Sequence, residues 1–76
     1  MTLLDDMRRN PAADWRISDI EIVCSQYGIR CIPPSGGSHY KISHASSYMI
    51  LTIPARRPIK PIYIRRLVRF IEEVGG

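Results

Sequence analysis

Three short segments with strand character lie between residues 29 and 53, and only a few residues connect each segment to the next. The segments 29–32, 38–43 and 48–53 contain β-branched and aromatic residues, and turn-forming residues separate them. Parallel neighbours need a crossover of about a dozen residues or more, which neither connection can provide. The sequence therefore predicts a three-stranded antiparallel meander, in which each strand pairs with the next along the chain.

Helical patterns flank the meander on both sides. Ser18 and Glu21 have the spacing of a capping box, and an apolar stripe follows them, which predicts a helix over 19–27 that ends before Gly28. A second stripe follows Pro61, a residue that suits the first turn of a helix. The members of that stripe are Ile64, Leu67, Val68, Ile71 and Val74. A short helix over 3–9 is also expected before Asn10-Pro11.

These elements predict a single α+β domain over residues 1–76. Helices would cover one face of the antiparallel sheet, residues 17–74 would form the domain core, and residues 1–16 would be an N-terminal extension. No apolar run approaches the ~20 residues of a membrane span, and acidic residues near the N-terminus are atypical of a signal peptide. Two cysteines do not make a disulfide framework, so we expect a cytoplasmic protein.

The charge of the chain is unevenly distributed. Residues 1–22 contain three arginines and five acidic residues, whereas residues 23–76 contain eight Lys or Arg residues and two acidic ones, a net charge of +6. Such a basic segment suits a polyanion such as nucleic acid, although it is equally compatible with a solvated surface. No paired carboxylates, P-loop or dinucleotide fingerprint is present, so other enzyme classes have less support.

The segment 35–43 contains the residues on which the predicted chemistry depends. Two glycines precede a histidine there, so the backbone can approach a phosphate closely beside a side chain that titrates near neutral pH. Polar and apolar residues then alternate, which predicts a half-buried strand. His39 and Lys41 would share its exposed face, while Tyr40 and Ile42 would face the core. An imidazole beside a fixed positive charge suits general acid–base work on a phosphodiester.

Four pieces of sequence, in this order, resemble the HicA toxins, small messenger-RNA interferases of bacterial toxin–antitoxin modules. They are Tyr27-Gly28, Gly37-Ser38-His39-Tyr40, Leu51-Thr52-Ile53-Pro54, and Lys60-Pro61-Ile62-Tyr63-Ile64-Arg65-Arg66-Leu67. The resemblance covers about residues 17–74. It implies a fold like the double-stranded-RNA-binding domain, with α-β-β-β-α order, an essential histidine at His39, and a HicB-type antitoxin that covers the active face. Members often have a further histidine after the strand-three proline, where this chain has Ala55-Arg56-Arg57.

The predicted function is metal-independent cleavage of messenger RNA, with His39 as general acid/base and no cofactor. RNA supplies its own nucleophile, the 2′-hydroxyl, and nearby cations would stabilise the phosphorane. The predicted substrate-binding residues are Gly36, Gly37, Ser38, Lys41, Arg56, Arg57, Lys60, Arg65 and Arg66.

Two other functions are compatible with the residues. A non-catalytic RNA-binding module would contact phosphates and 2′-hydroxyls with the same basic side chains. A zinc site would use Cys24, Cys31, His39 and His44, but their spacing does not fit a zinc finger. Cys24 also lies on an apolar helical stripe, where a buried free thiol is common. We therefore expect RNA and an antitoxin as partners, with no metal and no membrane.

Overall fold

The three strands form the antiparallel meander that their short connections predict. The computed structural model describes residues 2–75, and its strands are β1 (Arg30–Ile32), β2 (His39–Ser43) and β3 (Leu51–Pro54). Cys31 lies opposite Ile42 between β1 and β2, and Tyr40 lies opposite Ile53 between β2 and β3. β2 is therefore the central strand, and no other strand within residues 2–75 pairs with the outer edge of β3.

Three helices accompany the sheet in the described part of the chain. They are α1 (Leu3–Arg9), α2 (Ile17–Gln26) and α3 (Pro61–Val74). The α+β class is thus confirmed, and the order of elements is compatible with an α-β-β-β-α layout preceded by a short helix. Among residues 2–75, no helix combines the length and the apolar character that crossing a bilayer demands.

The core lies on one side of the sheet. Ile42 and Ile53 are buried, whereas their strand neighbours Lys41 and Thr52 are exposed on the opposite face. The helices contribute the rest of the same cluster, with Ile20, Val23 and Cys24 from α2 and Ile64, Leu67, Val68, Phe70 and Ile71 from α3. Phe70 lies outside the predicted stripe. It is buried because α3 contacts both β3 and α1 and so packs over a wider face.

The N-terminal extension forms part of this core. The Thr2 hydroxyl accepts a hydrogen bond from the Asp5 amide (3.1 Å) and caps α1, whose Leu4 and Met7 are buried against the cluster. Arg8 then joins α1 to α3 through an ion pair with Glu72, with Nη2 and Oε2 2.7 Å apart. Burial of Met7 holds α1 in place more strongly than this ion pair, because both partners of the pair are exposed to solvent.

The predicted start of α2 is wrong by two residues. The Asp19 carboxylate accepts a hydrogen bond from the Arg16 amide at 2.9 Å, so residue 16 rather than Ser18 occupies the cap position. The expected pairing of Ser18 with Glu21 therefore does not cap the helix. The helix ends at Gln26, one residue before the predicted end, and Gly28 follows the last turn as predicted, with φ +67°, a backbone conformation that favours glycine.

The predicted start of the third strand at Tyr48 is also wrong, because β3 begins at Leu51. The Met49 amide donates to the Ser47 hydroxyl (3.1 Å), and the Ser47 amide donates to the His44 carbonyl (3.1 Å). These local bonds compete with strand pairing. Tyr48, Met49 and Ile50 consequently precede the strand as exposed residues, and Met49 does not share the buried face of Ile53.

Candidate functional site

A cleft of about 240 Å³ lies where β2 begins, β3 ends and α3 begins. We call it the His39 cleft, and its lining residues are Ser38, His39, Pro54, Arg56, Lys60 and Tyr63. Four of these residues were predicted as site residues from the sequence. The fold therefore brings an exposed imidazole, two cationic side chains and a serine hydroxyl into one depression.

Strand register places the histidine in the cleft. His39 lies directly opposite Pro54, the last residue of β3. One residue further, the Ala55 amide donates a hydrogen bond of 2.7 Å to the Ser38 carbonyl oxygen. This bond continues the pairing beyond the strand ends and brings the start of the Arg56 loop beside the glycine-rich turn.

One buried apolar residue, Ile59, attaches the loop 55–60 to the core. Ile59 is only 1% exposed, and its amide donates a hydrogen bond of 2.8 Å to the Trp15 carbonyl oxygen. Trp15 packs against the core, and its indole Nε1–H donates to the Asn10 carbonyl oxygen at 2.8 Å. Residues 10–15 thereby fix the position of the loop that carries Arg56 and Lys60.

The two adjacent arginines of this loop have different surroundings. Arg57 donates a 3.2 Å hydrogen bond from Nη2 to the Asp14 carboxylate, so its charge is partly compensated on the side facing the N-terminal segment. Arg56 and Lys60 line the cleft, and neither takes part in an ion pair found among residues 2–75. The positive potential of the cleft therefore comes from Arg56 and Lys60 rather than from Arg57.

The remaining predicted residues do not line the cleft. Gly36 and Gly37 lie in the exposed turn before Ser38, and Gly37 has φ +98°, which favours glycine. Lys41 shares the exposed sheet face with His39, one pleat further along β2. Arg65 and Arg66 project from α3 into other depressions, Arg65 towards α1 and Arg66 towards the middle of β3.

Two residues of the cleft, Pro54 and Tyr63, were not among the predicted site residues. Tyr63 is the third residue of α3, two positions after Pro61, and it is half-buried between the His39 cleft and a second depression along β3. The sequence signal that could have identified Tyr63 as a site residue is its position in the first turn of the last helix, on the same side as Lys60.

The second histidine has a local structural role. His44 Nδ1 lies 2.7 Å from the Ser46 hydroxyl and accepts a 3.0 Å hydrogen bond from the Ser46 amide, which fixes the turn between β2 and β3. It does not line the His39 cleft. The chain therefore offers a matched pair of histidines, one in the cleft and one outside it.

The cysteines lie on the core side of the sheet, away from the exposed imidazole of His39. Both thiols are free; Cys24 is buried, and Cys31 is half-buried. Burial raises the pKa of Cys24 to about 12, and the neighbouring Cys31 adds to this shift. Within residues 2–75, no three His, Cys, Asp or Glu side chains converge in a way that could hold a metal ion.

The chain matches no protein-family model, and neither a curated protein nor a solved structure matches it significantly. The HicA resemblance therefore rests on the four sequence pieces.

Proposed function

We propose that the chain is a metal-independent endoribonuclease of the HicA type, with a fold like the double-stranded-RNA-binding domain, that cleaves messenger RNA in the cytoplasm. The observation that carries this proposal is the His39 cleft, in which an exposed imidazole faces the same depression as Arg56 and Lys60. General base and cationic groups are the two requirements for attack by a ribose hydroxyl on its own phosphodiester.

In the proposed reaction, His39 takes the proton of the 2′-hydroxyl as the oxygen attacks the adjacent phosphorus. The P–O5′ bond then breaks, the 5′-oxygen takes up a proton from water, and a 2′,3′-cyclic phosphate remains on the other fragment. Arg56 and Lys60 stabilise the negative charge that develops on the phosphoryl oxygens. DNA is not cut because it lacks the attacking hydroxyl.

The decisive experiment compares two histidine variants on a long unstructured RNA in the presence of EDTA. Because one general base contributes roughly 10²–10⁴-fold, His39→Ala should lose cleavage by about that factor, whereas His44→Ala should keep it. His39→Ala should give a thermal melt close to the parent's because His39 is exposed, whereas His44→Ala should melt slightly lower because it loses the bonds to Ser46. Equal cleavage by parent and His39→Ala would falsify the assignment.

A paired arginine comparison tests the electrostatic part of the site. Arg56→Gln removes a charge that lines the cleft, whereas Arg57→Gln removes one that already contacts Asp14. We expect slower cleavage from Arg56→Gln than from Arg57→Gln at the same RNA concentration. The two substitutions change the net charge equally, so a general loss of attraction cannot explain a difference.

An RNA-binding module without catalysis is the second candidate. HicA members often have a histidine after the strand-three proline, where this chain has Arg56. Among residues 2–75, His39 is therefore the only imidazole that lines the cleft, which favours this candidate. The RNA assay separates the two functions, because a module retains and shifts the RNA without shortening it.

An antitoxin of the HicB type is proposed as the protein partner. The exposed sheet face presents Ile32, 39% exposed, directly opposite Lys41, which shares this face with His39. An acidic partner that covers this face would bury apolar surface and close access to the imidazole. Co-expression with the product of the adjacent reading frame tests this proposal, with relief of growth arrest as the expected result.

A further inference from the structure

Two further depressions continue from the His39 cleft along the open edge of β3. The middle cleft, about 260 Å³, is lined by Ile50, Leu51, Thr52, Ile53, Tyr63 and Arg66. The distal cleft, about 430 Å³, is lined by Met49, Leu51, Arg66, Arg69, Phe70 and Glu73. Neighbouring clefts share lining residues. Tyr63 lines both the His39 cleft and the middle cleft, and Arg66 lines both the middle cleft and the distal cleft. The three depressions therefore form one groove between β3 and α3.

The two walls of the groove differ in chemistry. Met49 and Ile50, just before β3, are 51% and 60% exposed and form an apolar wall. The opposite wall is the side of α3 that carries Arg66 and Arg69, which continue the positive charge of Arg56 and Lys60. From residue 60 to residue 69, the helix extends this charge over about 14 Å at 1.5 Å per residue.

The charge of the groove is largely available to a ligand. Arg66 takes part in no ion pair found among residues 2–75, and Arg69 contacts Glu73 only through a long 3.7 Å pair on a side chain that is 84% exposed. Such an exposed pair holds its partners weakly. Of the described residues that line the groove, only Glu73 is acidic, and it lies at the distal end.

We infer that this groove binds a single-stranded stretch of RNA and leads it into the His39 cleft. A single strand presents phosphates on one side and unpaired bases on the other, which matches a wall of arginines opposite an apolar wall. Tyr63 lies where the first two clefts meet, and its ring offers a stacking surface for a base. A duplex hides its bases, so the apolar wall would contribute nothing to binding it.

This inference rests on the proposed function for its substrate class, but its test does not require cleavage. The probe is a fluorescent 2′-O-methyl oligouridylate, in which the attacking hydroxyl is blocked, and its binding to the intact protein is followed by anisotropy. The competing probe is the same strand annealed to 2′-O-methyl oligoadenylate. We expect the single strand to bind at least tenfold more tightly than the duplex.

The groove is tested with variants of equal charge change. Arg66→Gln and Arg69→Gln should each weaken binding roughly tenfold and lower the slope of log Kd against log salt by about 0.7 per lost phosphate contact. Arg30→Gln is the matched control, because Arg30 is an exposed cation on β1, outside the groove. It should leave the affinity within about twofold and the salt slope nearly unchanged.

Three results would overturn the inference. The first is equal or tighter binding of the duplex, and the second is equal weakening by Arg30→Gln and Arg66→Gln. The third is no binding of either nucleic acid, which would leave an acidic protein as the occupant of the groove. If the oligouridylate binds as expected but the parent protein cuts no RNA, the groove stands and the proposed ribonuclease fails. If RNA is cut through His39 while the arginine variants bind normally, the proposed ribonuclease stands and the groove fails.

Discussion

The backbone amide of Ile59 donates a 2.8 Å hydrogen bond to the carbonyl oxygen of Trp15. This bond joins the loop that leads into α3 to the segment that follows α1, across more than forty positions of the chain. The side chain of Ile59 is buried in the core beneath the same loop. The cationic side of the His39 cleft therefore depends on packing between two segments that are distant in sequence.

We expect Ile59→Ala to lower the free energy of unfolding by about 2–5 kcal/mol, because it leaves a cavity under the loop. Ile62→Ala is the matched control, since Ile62 is 47% exposed and lies only three residues away. Its effect should stay within about 0.5 kcal/mol. Urea denaturation followed by tryptophan fluorescence measures both values, and equal effects would show that the loop is not anchored as described.

Met7→Ala should also lower the free energy of unfolding by about 2–5 kcal/mol, because Met7 is fully buried between α1 and the core. Ile22→Ala removes an apolar side chain of similar size from an exposed position on α2, where it is 51% accessible, and should lower the free energy of unfolding far less. Chemical denaturation of the two variants compares them directly. A small loss for Met7→Ala would mean that the N-terminal extension is dispensable for the fold.

The order of the elements was predictable because each one depends on local pattern. Short connections leave the meander as the simplest pairing, and alternation in β2 places His39 and Lys41 on the exposed face. The cleft itself was predicted only in part. Arg56 and Arg57 are equivalent in sequence, and only the contact with Asp14 distinguishes them. Likewise, the anchoring of Ile59 by Trp15 is a long-range contact that no local pattern reports.

Two element boundaries were predicted wrongly because side chains competed for the same backbone groups. Ser18 and Asp19 are both good partners for a helix start, and the sequence alone does not rank them. Tyr48 and Ile50 have high β-propensity, yet hydrogen bonds within the preceding turn hold this segment out of the sheet. In both places a local hydrogen bond selected one of two acceptable arrangements.

The start of α2 can be tested by two alanine substitutions one residue apart. Asp19→Ala removes the acceptor of the 2.9 Å bond from the Arg16 amide and should lower the free energy of unfolding by about 0.5–2 kcal/mol. Ser18→Ala should change it by less than about 0.5 kcal/mol, because Ser18 is exposed and is not the cap residue. Denaturation midpoints distinguish the two, and the opposite ranking would restore Ser18 as the cap.

The buried thiol of Cys24 predicts a specific alkaline sensitivity. Burial, with a further contribution from Cys31, raises the pKa of Cys24 from 9.0 to about 12 in the folded chain. Between these two values the unfolded chain loses the thiol proton while the folded chain retains it. The unfolded state therefore binds fewer protons, and the stabilisation that is complete below pH 9 is lost as the pH rises towards 12.

We expect the free energy of unfolding of the parent to fall more steeply above pH 9 than that of Cys24→Ala. The comparison concerns the slope, because the substitution also leaves a small cavity that lowers stability at every pH. Val23→Ala is the matched control, since Val23 is fully buried on the same helix and carries no ionisable group. Its curve should keep the parent slope at a lower level. Parallel curves for the parent and Cys24→Ala between pH 9 and 11 would show that the thiol titrates at its ordinary pKa.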